Sequence, residues 1–142
     1  MTQEEKELLL KDLCARLPYG IWFQSYHSES GIDGKGTFDF YIDIDSEDAI
    51  GHIKSVCDTN NNKPYLRPMS SMTEEEIKDF GGYINTQPIT HQQGYKGYTV
   101  NCSHYYTVSE IDWLNERHFD YRGLIPLGLA IAVTEENNPY KR

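Results

Sequence analysis

The sequence predicts an α+β fold: a small, mostly antiparallel sheet of four to six strands, open or partly closed into a barrel, with two or three packed helices. Three observations carry this. Capping signals precede apolar residues at helical spacing near both ends of the chain. One central segment alternates apolar and acidic residues with the period of a strand. The 142 residues contain no repeat or linker and suit a single domain, 1–142, with one core.

The first helix is expected over 3–16. Thr2 and Glu5 have capping-box spacing, in which each satisfies a free N–H at the helix start. Leu10, Leu13, Cys14 and Leu17 then form an apolar stripe, and Pro18 and Gly20 end it. Tyr19, Ile21 and Phe23 alternate with Gly20, Trp22 and Gln24, a strand signal. Residues 27 to 36 are rich in Gly, Ser and Asp and read as a turn.

The next strand has the clearest alternation. Phe38, Phe40, Ile42 and Ile44 point one way, and Asp39, Tyr41, Asp43 and Asp45 the other. Residues 50–57 read as a strand forming a hairpin with 38–44, although Ala49, Ile53, Val56 and Cys57 also suit a helix. Pro64 and Pro68 hold 64–68 extended. Thr73 and Glu76 cap a short helix, stapled by Met72 on Ile77 and ended by Gly81 and Gly82. Thr107 and Glu110 cap another at 108–118, with Tyr106 placed to staple Ile111. Ile111, Leu114 and His118 share a face, and Arg117 falls one turn from Trp113. Leu129 to Val133 reads as a final buried strand, and the tail from Asn137 as frayed.

Composition narrows function mainly by exclusion. Net charge is −9, with eight acids against two bases between residues 27 and 58. Direct nucleic-acid binding needs Lys and Arg to displace counterions, so none is expected. An acidic surface that mimics nucleic acid toward a basic protein remains open. No apolar run is long enough to cross a bilayer, and the start of the chain is not a secretory signal, so a cytoplasmic, membrane-free protein is expected. Cys14, Cys57 and Cys102 are too few and odd for a disulfide scaffold and read as reduced and mostly buried.

Positive chemical signals are sparse. Cys102 and His104 would share a strand face and could form a thiolate–imidazole pair, the basis of a small Cys/His-dependent enzyme. No third, orienting group accompanies them. The acids at 39–48 fail the calcium-loop pattern: counted from Asp43, the required Gly is Asp48 and the required carboxylate is Lys54. No cofactor, metal site or catalytic residue is therefore assigned. Residues 83–106 carry one charge, Lys96, and five tyrosines among Asn, Gln, Thr and Gly. That mixture suits a recognition loop, making Tyr95, Tyr98 and Tyr105 candidate contact residues. An ordinary ordered loop is the alternative. Asp120, Tyr121 and Arg122 read as either a second contact surface or a buried polar knot.

Three segments are more specific: 13–20 (Leu-Cys-Ala-Arg-Leu-Pro-Tyr-Gly), 63–76 (from Lys63-Pro64-Tyr65 through Thr73-Glu74-Glu75-Glu76) and 113–125 (from Trp113-Leu114 through Gly123-Leu124-Ile125). Together they cover about a quarter of the chain. They resemble a family of small proteins encoded by phages and integrated mobile elements of gut Bacteroides-type bacteria. The resemblance implies a cytoplasmic bacterial setting and brings no activity with it. Residues 83–106 extend beyond the family's pattern. The function expected is a non-catalytic, protein-binding accessory factor acting on a host protein, with the Cys/His enzyme and the nucleic-acid mimic as alternatives.

Overall fold

The structure, a computed structural model, describes residues 1–26, 36–59, 61–81 and 107–141, and the backbone of three two-residue strands between 87 and 99. The fold is α+β. In chain order the elements are α1 (Gln3–Arg16), β1 (Ile21–Tyr26), β2 (Thr37–Ile42), α2 (Ala49–Asp58), β3 (Asn62–Leu66), α3 (Glu74–Gly81), β4 (Gln87–Pro88), β5 (Gly94–Tyr95), β6 (Tyr98–Thr99), α4 (Val108–Glu116) and β7 (Ile131–Ala132).

The main sheet has the order β2-β1-β3-β7 and is open, so the barrel option falls away. β1 pairs antiparallel with β2 and β3, while β3 and β7 run parallel. The short strands β4, β6 and β5 form a separate antiparallel ladder.

The capping boxes form as expected. The Thr2, Thr73 and Thr107 hydroxyls accept the amides of Glu5, Glu76 and Glu110, and each glutamate accepts its threonine's amide in return. The predicted stripe on α1 is rotated, however. Leu9, Asp12, Leu13 and Arg16 are buried, and Cys14 is exposed. The displacement follows from an ion pair: Asp12 and Arg16 face inward together, and Leu9 accompanies them one turn earlier. Reading charge as a solvent marker misplaces this face.

The hairpin expected between 38–44 and 50–57 is corrected to a strand followed by a helix, α2. Ala49, Ile53, Val56 and Cys57 are buried at helical spacing. Two facts decide the outcome. On a strand Val56 would point away from Ala49, Ile53 and Cys57, whereas a helix turns all four into the core with α1 and β1. The glycine inside the helix is also accommodated, because the Asp48 carboxylate folds over Gly51 where a Cβ would stand. Asp48 itself adopts a left-handed φ of 50° at the helix start.

Two apolar clusters result among the described residues. The larger joins α1, β1, α2 and the ends of β2 and β3, with Leu13, Ile21, Phe23, Ile53 and Leu66 at its centre. The smaller contains Met72, Ile77, Phe80, Trp113, Leu114 and Phe119, which places both members of the predicted Met72–Ile77 staple in one cluster. Trp113 and Phe119 stack at 5.8 Å, and Arg117 lies 4.2 Å over the Trp113 ring. Tyr106 lies outside the described residues.

The tail is not frayed through Lys141, contrary to expectation. Pro139–Lys141 forms a 3-10 turn, and the Tyr140 hydroxyl donates to the Tyr65 carbonyl at 2.8 Å and accepts the Trp22 amide at 3.2 Å. An aromatic ring with two backbone partners ties the end of the chain to β1 and β3. The final strand is shorter than the predicted 129–133, with Leu129 and Ala130 buried ahead of it.

Candidate functional site

The candidate residues fall into three places. Asp120, Tyr121 and Arg122 follow α4 and enter a polar cluster built with α1. Arg16 donates to Asp12 at 2.7 and 3.1 Å and to the Phe119 carbonyl at 2.6 Å. Arg122 reaches the same Asp12 at 2.9 Å and the Tyr121 hydroxyl at 2.9 Å, and that hydroxyl donates to Asn115 at 2.9 Å. Asp120 accepts the amides of Leu124 and Ile125 at 2.8 and 2.9 Å, closing the turn. Both side chains of the Asp12–Arg16 pair are fully buried. Burial raises the Tyr121 hydroxyl pKa, against the opposing pull of Arg122 and Arg16. The three residues are thus engaged inside the chain, in the knot-like arrangement.

Tyr105, Cys102 and His104 lie outside the described residues. Of Tyr95 and Tyr98 only the backbone is described, and it pairs in register between β5 and β6. Cys57 is not an activated thiol: burial, followed by Cys14 and Asp58, pushes it up to about 11. Among the described residues no three His, Cys, Asp or Glu side chains are grouped to hold a metal. No described helix is long and apolar enough to cross a membrane.

A polar cavity of about 800 Å³ lies beside the C-terminal turn, lined by Arg67, Thr73, Arg117, His118, Asn138 and Lys141, among others. Arg67 is held by Glu76 through bonds of 2.7 and 2.8 Å and lies 4.1 Å over the Phe119 ring. Burial raises the Glu76 pKa, but hydrogen bonds from Arg67 and Thr73 outweigh it and leave the carboxyl below its ordinary value. His118 has a left-handed φ of 65° and stacks on Tyr140 at 3.6 Å. Its Nδ1 is buried without a hydrogen-bond partner. Burial first, then Arg16 and Arg67, depresses its pKa to about 4, so the ring is neutral near pH 7. Glu75 and Glu135 offset Arg117 and Lys141 here, so the cavity selects no charge.

The third place was not singled out by sequence: the outer edge of the main sheet. Phe38 is 49% exposed, Tyr41 44%, Tyr26 52%, Ile44 61% and Ile50 48%. These are five of the eight exposed large apolar side chains among the described residues; Phe38 lies on the groove face of β2, Tyr41 and Tyr26 on the opposite sheet face, Ile44 just beyond β2 and Ile50 on α2. Phe38 and Ile44 belong to the alternating face predicted to be buried. They sit where that face outruns its cover, while Ile42 between them is buried. The available signal was the length of the alternation, which exceeds the span a ten-residue α2 can cover.

Between β2 and α2 lies a groove of about 480 Å³, bounded by Phe38, Phe40, Ile42, His52 and Val56, with Glu47 at its side. Phe40 stacks on Phe23 at 5.0 Å and approaches Phe38 at 6.1 Å. The opposite face of β2 carries Asp39, whose Oδ1 accepts from the Tyr65 hydroxyl at 2.8 Å. Asp43 holds the following turn, accepting the Asp45 amide at 2.9 Å. The predicted solvated acidic face is therefore part structural, with Asp45, Glu47 and Asp48 near solvent.

Comparison with family models, curated proteins and solved structures finds no match.

Proposed function

We propose that the chain is a non-catalytic protein-binding accessory factor of a phage or mobile element, and that it contacts a host protein through β2 and its surroundings. The observation that carries this reading is the exposure of Phe38 and Tyr41 on the two faces of β2, at the end of the described sheet, with Ile44 exposed just beyond the strand. Exposed apolar groups that gather in one place, bordered by charge, favour association with another protein. The mobile-element setting rests on the three resembling segments. Burial holds the Cys57 thiol up at about 11, which weighs against a nucleophile there, while the Cys102 and His104 of the enzyme reading lie outside the described residues.

The test uses the full chain as bait in a lysate of Bacteroides-type bacteria, alongside the double substitution Phe38→Ser and Tyr41→Ser. The wild type is expected to retain a host protein that the folded variant loses. Equal retention by both would remove the patch from the reading. Enzymatic turnover that disappears when the thiols are alkylated would replace the reading with the Cys/His enzyme.

A further inference from the structure

We propose that the polar cavity beside the C-terminal turn binds a small zwitterion, a molecule of di- or tripeptide size with one ammonium and one carboxylate group. The inference goes beyond the protein-binding reading and uses no residue of β2.

Strand order places the cavity. β3 and β7 run parallel, and the Val133 amide donates to the Leu66 carbonyl at 2.8 Å where both strands end. Beyond that point the two chains part. Arg67 leads to Thr73 and α3, and Val133 leads to Glu135 and the C-terminal turn. Neighbouring parallel strands whose continuations diverge leave a crevice at their carboxyl ends, a frequent place for small ligands. Backbone bonds fix the floor. The Arg67 amide donates to the His118 carbonyl at 2.8 Å, and the Asp120 amide to the Arg67 carbonyl at 2.9 Å. They hold His118 at its left-handed φ of 65°, a conformation uncommon outside glycine, with its ring on Tyr140. The buried Nδ1 of that ring has no hydrogen-bond partner. Backbone strain and an unsatisfied nitrogen both cost folding stability, and both fall on one residue in the wall of this cavity.

Charge selects the occupant. Three cations and three carboxylates line the cavity. Arg67 and Glu76 answer each other, and His118 is neutral near pH 7. Arg117 has Glu116 and Asp79 at 3.6 and 3.7 Å, beyond hydrogen-bonding range. Among the described residues no ion pair engages Glu75, Glu135 or Lys141. The signs therefore balance in sum without meeting in contact. A simple anion or cation would face its own sign on half of these groups. An uncharged ligand would strip water from them and return no counter-charge. A zwitterion brings a carboxylate for Arg117 and Lys141 and an ammonium for Glu75 and Glu135, in charge-assisted bonds. The volume of about 800 Å³ exceeds what one amino acid fills and suits a ligand of about two or three residues.

The experiment titrates the full chain with trialanine, its N-acetyl form, its C-terminal amide and free alanine, followed by calorimetry and by the NMR signals of His118 and Thr134. Trialanine should bind and shift both signals. Each blocked form should bind at least about tenfold more weakly, because one charge-assisted contact is lost. Free alanine should also bind more weakly than trialanine. The pair Glu75→Gln and Glu135→Gln should weaken trialanine about tenfold and leave the N-acetyl form unaffected. Lys141→Gln should weaken trialanine and leave the amide unaffected. All three side chains are exposed, so these variants should keep the wild-type urea unfolding curve.

Absence of trialanine binding up to about 10 mM would overturn the proposal. Equal binding of a blocked form, tighter binding of free alanine, or tighter binding of the uncharged disaccharide maltose would do the same. So would loss of trialanine and its N-acetyl form by one factor in the glutamine pair, because the two carboxylates would then act through the fold and not on the ammonium. Capture of a host protein through Phe38 and Tyr41 does not depend on any of these outcomes, so the two readings stand or fall separately.

Discussion

The cluster around Asp12 and the edge around β2 invert the usual placement of residue types. In the first, Asp12 is answered by Arg16 and Arg122, Asp120 takes the turn amides of Leu124 and Ile125, and Tyr121 bonds Arg122 and Asn115. In the second, Phe38, Tyr41 and Ile44 stand in solvent beside acids. The contrast shows that charge and apolarity predict position only when a partner is counted. A buried charge is tolerable when a counter-charge and hydrogen bonds surround it. An apolar strand face is buried only as far as a helix reaches to cover it.

The largest expected effect breaks the interior cluster. Asp12→Ala leaves the buried Arg16 without its carboxylate and should destabilise the chain by about 3–5 kcal/mol, read from urea unfolding. A loss close to that of an exposed substitution would mean that Arg16 finds water or another acceptor. Removing Arg122, the more exposed donor to Asp12, should cost clearly less.

The next effect concerns His118, whose depressed pKa couples the polar cavity to pH. The folded state resists a proton that the unfolded chain accepts, so the unfolded state binds more protons between the two pKa values. Stability is complete above about pH 6.5 and falls as pH drops toward about 4, by on the order of 3 kcal/mol. His118→Gln should flatten the unfolding profile across that window. Glu76 contributes separately and lower, because its folded pKa lies below 4.5. An unchanged profile in His118→Gln would show that the ring is not held neutral by burial.

Asp120→Ala should cost about 1–3 kcal/mol, since two amides of the turn lose their acceptor. The smallest expected effect lies on the other side of the comparison. Phe38→Ser should change folding stability by less than about 1 kcal/mol because its ring is half exposed already. The same substitution should abolish partner capture, and that separation of folding from binding is the sharpest check on the contrast. A large loss of stability would return Phe38 to the core.

Local chemistry was sufficient for the helix starts. The capping boxes at Thr2, Thr73 and Thr107 involve residues three apart, so a short stretch of sequence contains all the partners. The stacking of Arg117 on Trp113 and the strand character of 21–26 and 37–42 are legible for the same reason. Long-range competition decided the rest. Residues 49–58 became a helix because only a helix turns Ala49, Ile53, Val56 and Cys57 together toward the core shared with α1 and β1. The buried face of α1 turned toward Asp12 and Arg16 because their further partners lie more than a hundred residues along the chain, at Phe119 and Arg122. Tyr140 anchors the tail through backbone groups of Trp22 and Tyr65, which no local pattern marks. The exposed edge at Phe38 is likewise a property of what α2 fails to cover. Sequence fixes what each segment can form. Which face meets water depends on which partners the whole chain brings within bonding distance.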